Sequence, residues 1–346
     1  MTTIVKSLGD FVNLVAQTFN LSTLFPAFVF IALLQMFLLP LLPADSPFQA
    51  LALTNDDGWP VALNLILVAL LAYLLDAANI SLIRLFEGYP LRRCFPFDWL
   101  EERHRSYVRS VLNEIERLRK EYWEAFERDE ARAEDIAIRL DDCLKRLANR
   151  YPEDLIRVLP TPFGNVIAAA EYYPMKILGM DAVALWPFLR PIMNETGYAA
   201  FVLRDKAVMD FLVNLVTILS AFGVLYGGVN WFYRGWQVSW IGVVFLIGLC
   251  CFLLYLLSVQ AAAGWGITIR TPFVLYREHL RQRLRLRLAV GYEEERCLWE
   301  EASAFFSGEM PYEDLRKLGD SIFGSTDGWE NLDSGGQNGK ETARHA

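Results

Sequence analysis

Two acids stand where a bilayer would be. Asp76 lies in an apolar run over 61–83 and Asp210 in another over 207–232, and each has an amide close by, Asn79 three residues after Asp76 and Asn214 four after Asp210. On a helix such spacings put each pair on one face. An ionisable group inside a membrane span marks either an ion or proton path or a polar clamp between helices. Counting ~1.5 Å per residue, Asp76 is expected ~22 Å from the outer end of its run and Asp210 ~5 Å from the inner end of its own. The two acids are thus expected at similar depth, as one cluster, with Arg84, Arg204 and Lys206 near enough in sequence to snorkel toward them. So shallow a depth favours the clamp. A second constellation follows the last apolar run, where Arg270, Arg277, Arg281, Arg283, Arg285 and Arg287 interleave with Phe273, Tyr276, Leu280, Leu284 and Leu288. Arginines beside a span suit anionic lipid headgroups, at ~1 kcal/mol each. They equally suit salt bridges to acidic helices elsewhere in the chain, and the pattern leaves both readings open.

Other chemistry lacks material. The five cysteines, Cys94, Cys143, Cys250, Cys251 and Cys297, form no CxxC pair, and the three histidines, His104, His279 and His345, are scattered. No metal site and no cofactor are expected from this set. The chain has no GxxxxGK[ST], no GxGxxG after a strand, no GxSxG and no HExxH, and strand-like alternation is scarce. The expectation is a protein that is not an enzyme. A formal charge of −8 argues against a nucleic-acid partner, which would call for a basic chain.

The elements that position these residues are helices. Apolar residues are 54% of the 346, charged residues only 21%, and mean hydropathy is +0.24, a blend of membrane spans and polar segments. Four runs can cross a bilayer: 24–42, 61–83, 207–232 and 236–263. Trp59, Trp231, Tyr233, Trp236, Trp240 and Trp265 gather at the run ends as an interfacial belt. The first run begins too far in, and is too long, for a cleaved signal peptide. The segment 44–60 carries no Lys or Arg, and of the 33 in the chain Arg234 alone lies between the third and fourth runs. The positive-inside rule then puts both termini and the middle segment in the cytoplasm, a placement that four spans allow.

From Asp98 to Tyr151 there is neither Gly nor Pro, and apolar residues recur in steps of three and four. Between Glu127 and Asp135 large apolar residues vanish. Either a polar turn makes an antiparallel hairpin, the preferred reading, or one helix of up to ~75 Å projects from the membrane. The expected fold is all-α. Its parts are a cytosolic N-terminus (1–23), spans one and two (24–83), a cytosolic helical domain (84–206), spans three and four (207–263), cytosolic amphipathic helices (264–323) and a disordered tail (324–346).

Several segments carry a likeness: Leu159-Pro160-Thr161 with Gly164-Asn165, Gly179-Met180-Asp181 with Leu185-Trp186-Pro187, Phe273 to Arg277, and Glu293-Glu294-Glu295 with Leu298-Trp299-Glu300. Together they resemble a group of bacterial multi-pass membrane proteins over 159–306. The resemblance implies a bacterial inner membrane and brings no activity with it. The functional expectation is an inner-membrane protein presenting a helical cytosolic interaction platform. The alternative is an oligomeric channel or transporter built on Asp76, Asn79, Asp210 and Asn214. Expected partners are the bilayer, its anionic lipids, further copies of the chain and a cytosolic protein.

Overall fold

The computed structural model describes residues 21–52, 58–92, 94–308 and 312–323. The expected disordered tail, and nearly all of the expected N-terminal segment, lie outside the described residues. Those described are helical, with no strand among them. Four helices are long and apolar enough to cross a membrane, Leu21–Leu41, Trp59–Glu87, Ala199–Arg234 and Val238–Leu275, with mean hydropathies over 18-residue stretches within them of 2.3, 2.2, 2.0 and 2.7. The last two run well beyond the apolar runs that announce them. Hydropathy measures lipid thickness, whereas a helix continues until its backbone bonding is broken, and at the polar ends nothing breaks it.

The chain divides into two compact units, one of Met1–Ala169 with Val202–Gly266, the other of Ala170–Phe201 with Ile267–Ala346. In the first, α1 (Leu21–Leu33) continues through a π-turn and a 3-10 turn to Leu41. It packs on α2 (Gly58–Glu87) through Ala27, Val68, Ala72 and Leu75, with Ile218 of α7 (Ala199–Arg234) joining them. At the other end of these helices Gln35 donates to Leu51 O (2.6 Å) and to Asn64 Oδ1 (2.8 Å), while Asn64 donates to Leu51 O and Pro60 O. Two polar side chains of these apolar helices thus share one hydrogen bond and both donate to the Leu51 carbonyl, as a medium without water would require. Gly235, at φ +63, turns α7 into α8 (Val238–Leu275). A Cβ on Gly223 would sit 3.1 Å from Ile247 and one on Gly227 3.5 Å from Val244, so the small-xxx-small face of α7 is where α8 rests.

Between α2 and α7 come α3 (Phe97–Phe126) and α4 (Glu130–Arg150), two helices joined by a polar turn, so the segment is a hairpin. Asp129 caps α4 by accepting from Arg132 N, where no apolar side chain holds the helix straight. Val108, Ile115, Leu118 and Ala125 of α3 close on Ala133, Ile136 and Leu147 of α4. The hairpin's base is tied by charge. Glu101, buried, accepts from both nitrogens of the Arg92 fork (2.9 and 3.0 Å) and pairs with Arg105 at 2.5 Å, while those guanidiniums also reach Leu155 O, Ile156 O and Val158 O.

The chain then enters α5 (Pro162–Leu178) at a tight junction with the end of α2. The Thr161 hydroxyl bonds Phe86 O (2.7 Å) and Glu87 O (3.0 Å) and accepts from Gly164 N, capping two helices at once. Asn165 exchanges bonds with Leu159 N and O. Phe163, Val166 and Ile167 are buried with Met209 and Val213 of α7 and Ala262 of α8.

In the second unit, α6 (Ala182–Glu195) is capped by Asp181 and packs on α10 (Tyr292–Ser307). Asp181 N donates to Ser303 Oγ (2.9 Å), and the Phe188 and Phe306 rings lie 4.7 Å apart. Leu185, Leu189, Met193, Leu280, Leu298 and Trp299 are fully buried there. Between α8 and α10 lies α9 (Arg277–Arg283), and α11 (Tyr312–Phe323) closes the described chain.

At the junction a methyl group has no room. A Cβ on Gly164 would lie 2.9 Å from Glu87 Cα, a backbone atom that cannot yield. Gly164→Ala is expected to cost about 1–3 kcal/mol, read as a drop in thermal unfolding midpoint in detergent. Gly242→Ala, where nothing lies within 4 Å, is expected to cost nothing.

Candidate functional site

Lys206, Asp210 and Asn214 follow each other at i, i+4 and i+8 on α7, so they form one stripe along the helix. Lys206 Nζ bonds Asp210 Oδ2 at 2.6 Å and reaches across to Asn79 Oδ1 of α2 at 3.1 Å. One turn further in, Asn214 Nδ2 donates to the carbonyl of Ser22 on α1 at 3.0 Å. Three helices therefore meet on this stripe. Asn214 is fully buried and Asp210 nearly so, while Lys206 is half-buried and snorkels along α7.

The structure brings Asn79 and Asp210 together through Lys206 and sets Asn214 beside them. It does not bring in Asp76. That carboxylate is exposed on α2 and has no hydrogen-bond or ion-pair partner among the described residues. Arg84 also stands exposed, and Arg204 bonds its neighbour Asp205 at 3.2 Å, so Lys206 is the cation that reaches the acid. Its placement four residues before Asp210 is the signal that was available in the sequence.

Two acceptors in this cluster lack a donor. Asp210 Oδ1 and Asn214 Oδ1 are buried without a partner among the described residues. In a low-dielectric setting each such oxygen favours a bound donor, a water above all, because the Lys206 ammonium already neutralises the carboxylate. Among the described residues no three His, Cys, Asp or Glu side chains gather as metal ligands would.

The arginine segment is organised by carboxylates. Arg277 pairs with Glu295 (3.4 Å), Arg281 with Glu278 (2.7 Å), Arg283 with Glu195 and Arg287 with Glu294. Arg270 lies 4.7 Å over the Tyr173 ring. Arg285 takes φ +56 just after α9, where the chain leaves the helix for the irregular stretch before α10. The partner acids are those of α6, α9 and α10, within the same unit, and an anionic headgroup would have to compete with them. The Arg281 hydrogen bond, with a second from Gln282, holds the Glu278 carboxyl down to about 2. Glu294 is lowered too, first by accepting from Val290 N and then by Arg287. Glu101 and Arg92 have no counterpart in the sequence reading; only the i,i+4 step from Glu101 to Arg105 signalled them.

No protein-family model matches the chain, and no curated protein or solved structure shows similarity to it.

If Lys206 and Asp210 form one unit, Asp210→Ala and Lys206→Ala are each expected to destabilise by about 1–3 kcal/mol through the group left behind. The double variant is then expected to lose less than the sum, which denaturant titration in micelles reads directly. Acid should loosen the second unit. A carboxyl lowered by folding stabilises the fold fully above its ordinary range, ~4.3 for Glu, and ceases to do so as pH falls through the folded value, about 2 for Glu278. The fluorescence of buried Trp299 should therefore shift over that window, and Glu278→Gln should flatten the shift.

Proposed function

We propose that the chain is a non-enzymatic, multi-pass anchor of a bacterial inner membrane that presents its helices to a cytosolic protein partner. Both termini, 84–206 and 264–323 then lie in the cytoplasm. The observation that carries the reading is the tip of the α3–α4 hairpin. There Trp123 is 62% and Phe126 59% exposed, and their rings and that of Tyr122 meet edge-on or tilted, with centroids 5.5–6.0 Å apart. Large aromatics fixed at the end of a rigid hairpin, ringed by charges, have the makeup of an interface anchor. The orientation is supported by the near-absence of basic residues from 44–60 and from the α7–α8 turn. The bacterial membrane is supported by the resemblance of the 159–306 segments. Because the arginine segment meets headgroups only in competition with its own acids, attachment to the bilayer is assigned to the spans.

A second reading, a channel or transporter, is favoured by the unpartnered oxygens of Asp210 and Asn214. Against it, Gln35 and Asn64 are bonded to each other and to Leu51 O, which engages the polar side chains at the other end of these helices.

Cysteine at Ser46 is expected to react with an impermeant maleimide on intact cells, and cysteine at Ser106 only after lysis. A photo-crosslinking residue at position 123 is expected to give one discrete protein adduct in cells, and one at Arg139 on the hairpin side is expected to give none. Reversed labelling would overturn the orientation. A cation flux in liposomes that Asp210→Asn abolishes, with no adduct at 123, would replace the platform by the transporter.

A further inference from the structure

α2 carries a face that the rest of the chain leaves uncovered. Ile66, Leu70, Tyr73, Ala77, Ile80 and Arg84 recur in steps of three and four, one stripe along the helix, and all are exposed. Asp76 lies beside Tyr73 and Ile80 at the edge of that stripe, exposed as well. Among the described residues neither the Tyr73 hydroxyl nor the Asp76 carboxylate has a partner. Arg84 is eight residues away, ~12 Å along the axis, too far to pair. Within a span such an acid belongs against protein or water, because hydrocarbon offers it no donor. The opposite face of α2 is taken. Val68, Ala72 and Leu75 meet α1 and Ile218, and Asn79 meets Lys206.

We infer that this face is covered by α2 of a second copy of the chain, in a two-fold dimer whose axis runs along the membrane normal. The tyrosine hydroxyl of each copy donates to Asp76 of the other. A two-fold contact is self-complementary and keeps identical helices at identical depth. Tyr73 and Asp76 differ by three residues, ~4.5 Å of rise, which the length of a tyrosine side chain spans. The face thus holds both halves of the hydrogen bond, one donor and one acceptor, and symmetry makes the bond twice. The inference is independent of the cytosolic platform and stands or falls without it.

The test uses the full chain in lipid nanodiscs and vesicles. The parent protein is expected to have the mass of a dimer. With the five native cysteines replaced, Ala77→Cys and Ile80→Cys are expected to form an oxidative intermolecular crosslink. Leu246→Cys on α8, 63% exposed, is expected to form none. Tyr73→Phe and Asp76→Ala are each expected to weaken dimerisation about tenfold, and the double variant no further, since each removes both symmetric bonds. The subunit's own thermal stability should not move, because neither side chain has a polar partner among its described residues. A monomeric parent at every protein-to-lipid ratio would overturn the dimer. So would crosslinks from 77 and 80 that run only to residues 1–20 of the same chain or to a different protein.

Discussion

At the end of α2 the chain turns through Gly88 at φ +88, and the last carbonyls of the helix lose their helical donors. Thr161 supplies the missing hydrogen bond to Phe86 and Glu87 while capping the first turn of α5. Much of the first unit depends on this one hydroxyl-to-carbonyl contact. It fixes where α5 enters, and so lets Phe163, Val166 and Ile167 fill the space beside Met209, Val213 and Ala262. It also brings Leu155 to Val158 under the guanidiniums of Arg92 and Arg105, which hold the base of the hairpin through Glu101. Gly88 and Gly164 are the residues without side chains that the close approach demands. A Cβ on Gly88 would meet Pro160 at 2.6 Å.

The spans were legible because lipid imposes a length and a composition that few other contexts require. The hairpin was legible at its turn, where the loss of large apolar residues between Glu127 and Asp135 removes the helix-to-helix contact. The polar cluster was legible only in part. Asn79 falls on the stripe of Val68, Ala72, Leu75 and Leu82 that turns inward, whereas Asp76 comes one residue after Leu75 and so points about 100° away. A count along the axis places both acids at one level; only the packing of α1 and α7 decides which side of α2 is inside.

The arginine segment was opaque for a different reason. Its charges are visible one by one, but a partner such as Glu195 lies 88 residues away from Arg283. Charge in sequence says that a neutralising surface exists and leaves open whether lipid or protein provides it. The segments Gly179-Met180-Asp181 and Leu298-Trp299-Glu300 acquire a physical meaning here. Asp181 and Ser303 join those two segments, and Gly179 lies where a Cβ would meet Glu300 Cγ at 2.7 Å.

The cap shared by α2 and α5 also sets an order of events during synthesis. Thr161 follows Phe86 by 75 residues. At ribosomal rates of about 5–20 residues per second, α2 waits roughly 4–15 s with its last carbonyls open to water before the residue that closes them is made. During that interval the hairpin, whose contacts are local, can fold on its own, and its base delivers residues 155–158 toward the waiting helix end. The last carbonyls of α2 therefore receive this donor only after every residue of the hairpin has been made.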